Sequence, residues 1–262
     1  MGSQDVRIDL NCDMGESFGA YRIGDDEGVM RSITSANVAC GLHAGDPTVI
    51  RRTIRMARDA GVAVGAHPGF PDLAGFGRRE MRLDVAEVED TVLYQVAALG
   101  GMAAAEGVRL QHVKAHGALY NMAVRDPALS TAIARAVAAY DRGLILFGLP
   151  NSEILAAGRA AGLRVAAEIF ADRAYEADGS LASRAKPGSV IHEPDRVVDR
   201  AVRMVRDRSV VAVDGVVVPL DADTICVHGD TKGAATIVAR LRAGLEAAGV
   251  TVAPVASGIE RS

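Results

Sequence analysis

Short apolar runs of strand length alternate with amphipathic runs of helix length from Ile8 to Val255, and the apolar runs end in clustered acids, amides, imidazoles and amines. That rhythm argues for parallel strands joined by helical crossovers, which gathers the carboxyl ends of the strands at one edge. The expected fold class is α/β, a TIM-like (β/α) barrel in which residues 1–262 form a single domain. A length of 262 residues suits one such barrel, and a 49% hydrophobic share supplies its core.

Ile8 to Glu16 reads I-D-L-N-C-D-M-G-E and opens the pattern: Ile8 and Leu10 alternate with Asp9 and Asn11, yet polar groups continue through Asp13 to Glu16. A short helix over Asp25 to Thr34 and a strand over Ser35 to Cys40 follow. Asp46-Pro47 then caps a helix reaching about Ala60, stopped by Gly61. A third strand, Val62 to Ala66, runs into His67 and a long loop holding Gly75, Gly77, Arg78 and Arg79. Asp84 and Glu87 form a capping-box pattern for a helix to about Glu106.

The fourth strand, Leu110 to His116, places His112, Lys114 and His116 on one face by alternation. Asp126-Pro127 caps the next helix, Leu144 to Gly148 is a fifth strand, Asn151 starts another helix, and Arg164 to Phe170 is the sixth strand. Ala177 to Pro187 reads as an irregular excursion and Pro194 to Arg208 as an amphipathic helix. Asp214-Gly215 marks a hairpin within Val210 to Leu220. The seventh strand is Thr224 to His228; after a helix to about Ala248, a short strand at Val250 to Val255 is expected to close the sheet.

In such a barrel the strand ends bring Asn11, Asp13, Asn37, His43, His67, Lys114, His116, Glu168, Asp172, Arg173, His228 and Asp230 to one mouth. The candidates for catalysis are Asp13, His43, His67, Lys114, His116 and Glu168; Asn11, Asn37, Asp172, Arg173, His228 and Asp230 are the candidates for substrate binding. Two chemistries stay open. A carboxylate or imidazole takes a proton from water while Lys114 or Arg173 steadies charge on a carbonyl oxygen; alternatively Asp13, His67 and His116 hold a hydrolytic divalent metal. The blander account makes each of these a hydrogen-bonded interior residue.

Gly15 to Gly19 fits G-x-S-x-G, but the nucleophile elbow needs a strand leading through Ser17 into a helix, and Gly19 to Gly24 does not read as one. Gly229 to Gly233 opens a helix whose N-terminus suits a phosphate, although the chain has no Walker motif. A net charge of -4 gives no reason to expect nucleic acid, and with no tryptophan and 4% aromatics a base-stacking platform is not expected. The N-terminus has no apolar signal core, and no run of about eighteen apolar residues spans a membrane. Cys12, Cys40 and Cys226 form no C-x-x-C pair; a reducing cytoplasm suits them.

Four stretches taken together, D-L-N-C-D-M-G-E-S-F-G, S-A-N-V-A-C-G-L-H-A-G-D, G-A-H-P-G-F-P-D and H-V-K-A-H-G-A-L-Y, resemble the LamB/YcsF family, known as the A component of bacterial 5-oxoprolinase. The likeness runs from about Ile8 to Val255. It implies a seven-stranded barrel of the glycoside hydrolase/deacetylase type, and hydrolytic opening of the 5-oxoproline lactam to L-glutamate. It also implies ATP as co-substrate, partner subunits B and C, and cytoplasmic location; a homo-oligomer is also compatible. Two alternatives are carried forward: a stand-alone metal-dependent amide or carbohydrate deacetylase, and a non-catalytic binding or regulatory subunit. N-C-D at Asn11 to Asp13 and H-V-K-A-H at His112 to His116 are similar to deacetylase patterns, but only His43 stands in the second loop, where those enzymes carry H-x-x-x-H.

Overall fold

The computed structural model of the chain describes residues 6–183, 186–227, 229 and 233–258. In chain order its elements are β1 (Arg7–Met14), α1 (Asp26–Met30), β2 (Ser35–Ala39), α2 (Pro47–Ala60), β3 (Ala63–His67), α3 (Val85–Ala105), β4 (Leu110–Val113), α4 (Gly117–Ala123), α5 (Pro127–Tyr140), β5 (Ile145–Gly148), α6 (Glu153–Ala160), β6 (Arg164–Phe170), α7 (Pro194–Asp207), β7 (Ser209–Val211), β8 (Val217–Pro219), β9 (Thr224–Val227), α8 (Ala234–Ala247) and β10 (Thr251–Val252). Strands β1 to β6 and β9 pair in parallel in the order β1-β2-β3-β4-β5-β6-β9, and β9 pairs back onto β1, closing a seven-stranded barrel.

Closure differs from the sequence expectation. The last strand does not close the sheet: β10 only extends it beside Arg7 and Ile8 at the foot of β1, while Asp9 to Cys12 pair with β9 and Asn11 to Met14 with β2. One long strand therefore serves three neighbours at successive heights. β7 and β8 form the antiparallel hairpin marked by Asp214-Gly215, outside the barrel sheet.

Local chemistry explains most element ends. Asp46 Oδ1 accepts from the amides of Thr48 and Val49, and Asp126 Oδ1 accepts from those of Ala128 and Leu129, each ahead of a proline at the first helical position. Gly61 ends α2 in the left-handed region at φ 68°, where a side chain would be strained. Three expectations need correction. Asp84 occupies the cap position of α3 but its side chain makes no cap bond. Asn151 is left-handed at φ 59° and Ser152 takes the cap position of α6. β4 ends at Val113, so His116 caps α4 instead of lying on the strand, its amide bonded to Pro68 O.

Side chains of β1 divide by alternation. Leu10, Cys12 and Met14 join the main apolar core, while Asp9, Asn11 and Asp13 face the barrel axis, where they reach β2, β6, β9 and Lys114 just after β4. The lumen is thus largely polar at these levels, unlike the branched aliphatic layers usual in such barrels. Ile145, Phe147 and Ala166 form a separate small apolar cluster with Val255 against it. No helix among the described residues is long and apolar enough to cross a membrane.

Candidate functional site

Residues two apart on β1 rise through the lumen in steps, and each step organises a layer. Asp9 is lowest: its Oδ1 accepts from the hydroxyls of Thr34 and Ser35, both at 2.7 Å, and its Oδ2 accepts from Thr224. Burial pushes the Asp9 carboxyl up to about 6, against the pull of those three hydroxyls. Above it, Asn11 donates to Glu168 Oε1 at 3.0 Å and to Thr224 Oγ1 at 2.7 Å. Asn37 donates to Asn11 Oδ1 at 2.7 Å and to Asp13 Oδ1 at 2.9 Å, and its own oxygen lies 2.7 Å from His112 Nε2. Burial, with Lys114 nearby, pushes His112 down to about 3.

Lys114 crosses the next layer. Its ammonium is 2.8 Å from Asp13 Oδ1, 3.0 Å from Glu168 Oε1 and 3.0 Å from Cys226 Sγ. Three N–H groups meet three acceptors, so the ammonium is spent on holding the layer together, and the expectation that Lys114 steadies an oxyanion does not fit this geometry. Burial alone would lower its pKa, but the carboxylates of Asp13 and Glu168 outweigh that and hold it well above the ordinary lysine value. Burial keeps the Cys226 thiol protonated in spite of Lys114.

The top layer is made of imidazoles. His67 Nε2 stands 3.3 Å from Asp13 Oδ2 and 2.9 Å from His116 Nδ1, and His116 Nδ1 is 3.7 Å from Glu16 Oε1. His43 stacks face to face on His116, with centroids 3.9 Å apart and planes 9° from parallel. Burial lowers the pKa of His43 and of His116 well below the ordinary histidine value, and the neighbouring imidazoles add to it. Gly77, at φ +62°, lets the loop pass directly over these rings: a Cβ there would lie 2.8 Å from His116 Cδ2 and 2.8 Å from His43 Cβ.

A cavity of about 670 Å³ opens above this layer. Asp13, His67, Lys114, His116 and Arg173 line it; Asn11, Asn37, His43, Glu168 and Asp172 are buried behind the lining. Asn11 and Asn37, expected to bind substrate, are instead hydrogen-bonded braces for Asp13 and Glu168. Arg173 holds the excursion after β6 through the carbonyls of Ser189 and Ala182, and that excursion forms one wall of the cavity with Glu176, Ser180 and Lys186. His228 and Asp230 lie outside the described residues, as do Thr231 and Lys232 of the glycine-flanked run. Ser17 is buried in a loop, exchanging hydrogen bonds with the backbone of Ile23, and no helix runs through it.

Sequence reasoning passed over Glu16 and Tyr120. Glu16 closes the same acidic run as Asp13 and was legible there. Tyr120 lines the cavity from α4, with its phenol held well above the ordinary value by burial and by Glu168; an unforeseen helix carried it, so no signal in the strand pattern pointed to it.

Comparisons with known proteins bear on the family and the fold. A protein of Chloroflexus aggregans named as the A component of 5-oxoprolinase is 59% identical over 247 residues, covering 94% of this chain and 98% of that one. One of the same name from Bacillus subtilis is 52% identical over 249 residues, covering 95% and 97%. The crystal structure of a lactam utilization protein from Thermus thermophilus superposes with a TM-score of 0.90 at 49% identity, covering 94% of this chain and 99% of that one. Residues 8–260 match the LamB/YcsF family throughout, and the chain belongs to that family.

Proposed function

We propose that the chain is the hydrolytic subunit of an ATP-dependent 5-oxoprolinase, opening the 5-oxoproline lactam to L-glutamate in the cytoplasm together with partner subunits B and C. The names of its relatives support the enzyme. The observation that carries the role of this subunit is Asp13. One of its oxygens is fixed by Lys114 and Asn37, while the other faces His67 at 3.3 Å on the floor of the cavity.

A five-membered lactam is a poor electrophile, and transfer of a phosphoryl group from ATP to its oxygen makes the ring carbon easier to attack. Asp13, on the cavity floor beside His67, takes a proton from water as the water oxygen bonds to that carbon. The C–N bond then breaks, the nitrogen leaves with a proton as the amine, and the ring carbon is left as an acyl phosphate that a second water hydrolyses to the carboxylate and inorganic phosphate. Arg173 and Lys186 supply positive charge at the cavity wall for the phosphate. Lys114 orients Asp13 through the 2.8 Å contact to its Oδ1.

Mixing the purified chain with subunits B and C, ATP and 5-oxoproline tests this. Asp13→Asn is expected to lower glutamate formation by about a hundredfold or more, the range for losing a general base, without preventing assembly. Unchanged turnover with both Asp13→Asn and His116→Asn would mark a subunit that binds without catalysing. A second reading, a stand-alone metal-dependent amide or carbohydrate deacetylase, is favoured by Glu16 standing among three imidazoles. It requires turnover of an N-acetyl sugar by this chain alone, without ATP.

A further inference from the structure

Two backbone carbonyls decide where the imidazole protons lie. His67 Nδ1 is 2.8 Å from Lys114 O and His116 Nε2 is 2.8 Å from Phe76 O. A carbonyl oxygen only accepts, so these two nitrogens carry the hydrogens and both tautomers are set. The opposite nitrogens, His67 Nε2 and His116 Nδ1, then point lone pairs at each other across 2.9 Å. Lone pairs at that distance repel, and a positively charged species between them removes the conflict.

Other donors surround the same point. Asp13 Oδ2 is 3.3 Å from His67 Nε2, and Glu16 Oε1 is 3.7 Å from His116 Nδ1. His43 is fully buried, and neither of its ring nitrogens has a hydrogen-bond partner among the described residues. An unsatisfied buried imidazole is costly unless something else engages it. One ligand atom from each of Glu16, His43, His67 and His116 lies within 4.8 Å of all the others. A histidine whose far N–H is pinned by a backbone carbonyl is also the usual arrangement for one that ligates a metal.

We propose that Glu16, His43, His67 and His116 bind one divalent first-row transition-metal ion of the zinc type, reached from the cavity past His67, His116 and Asp13. Imidazole nitrogens with one carboxylate are a ligand set that zinc accepts, and no thiolate takes part. The site differs from the trio expected from sequence: Glu16 supplies the carboxylate, His43 is added, and Asp13 Oδ1 is occupied by Lys114 and Asn37. The inference holds whether or not the lactam reading does. Its rival is a single extra proton shared by His67 and His116.

The test strips the full-length chain with a chelator, dialyses it, and titrates it with zinc against a chromophoric competitor, with cobalt(II) as a visible-absorption reporter. Uptake should saturate at one ion per chain and raise the melting temperature. His67→Gln and Glu16→Gln should each weaken zinc binding by more than the roughly 10- to 100-fold that losing an outer partner costs. Circular dichroism checks that the variants fold; if His67→Gln does not, Glu16→Gln and His43→Asn carry the test. Failure to take up zinc or cobalt, or affinity unchanged in the folded variants, overturns the proposal and leaves the shared proton.

Discussion

Gly65 shows how tightly single residues set the site. A Cβ at that position would lie 2.1 Å from His112 Nε2 and within 2.4 Å of two further atoms of the ring. The ring cannot swing clear, because it stacks on Phe147 with centroids 4.2 Å apart and bonds Asn37. Displacing it would also loosen Asn37, which holds Asp13. Gly65→Ala is therefore expected to cost about 1–3 kcal/mol of stability, the range for overpacking a filled interior, and to lower turnover at temperatures where the protein remains folded. Urea unfolding read beside steady-state assays of the reconstituted complex separates the two effects; wild-type stability would show that the ring has room.

At the scale of elements, α2 and α3 are tied by charge. Arg51, Arg55 and Arg58 of α2 converge on Glu106, the residue that ends α3, and Glu106 has a side chain only 6% exposed. The Arg55 and Arg51 guanidinium groups pull its carboxyl down to about 2. For a depressed carboxyl the stabilisation is complete above the unfolded value of 4.5 and disappears as pH falls through about 2. Glu106→Gln should therefore lower the melting temperature at neutral pH and lose that difference in acid, with the effect shrinking as salt rises, because the arginines are about half exposed. A pH-independent difference would contradict the charge account. The same scale shows what the sequence reveals. The sixth strand lies over Arg164 to Phe170 as expected because apolar character stops at both ends, and the Asp-Pro caps of α2 and α5 announce themselves. α4 is hidden because it follows β4 after three residues and has no side-chain cap bond. Asp13, His67, Lys114 and His116 were legible as strand-end chemistry. The opposed lone pairs of His67 and His116 were not, since they depend on the carbonyls of Lys114 and Phe76, which carry no side-chain signature.

For the whole molecule the decisive join is the seam between the first and last barrel strands, where Thr224 of β9 donates to Asp9 and accepts from Asn11. Thr224→Val keeps the shape but deprives two buried groups of a partner, at about 1–3 kcal/mol for each group left unsatisfied; Thr224→Ser should restore most of that. Because the seam closes the ring, the loss should appear in one cooperative unfolding transition. Asp9 adds a pH signature at the same seam. Its carboxyl ionises at 3.8 when unfolded and at about 6 when buried, so folding favours the protonated form. The resulting stabilisation is complete below 3.8 and lost as pH rises through about 6, a change of about 3 kcal/mol at 1.36 kcal/mol per pKa unit. Asparagine matches the shape, and its amide can still donate to Thr224 and accept from Thr34 and Ser35, yet it does not titrate. The stability of wild type minus that of Asp9→Asn should accordingly fall by about 2.4 kcal/mol between pH 4 and 7, most of the full change. A flat difference across that window in urea titrations would show that Asp9 is ionised in the folded barrel, held there by its three hydroxyl donors against the cost of burial.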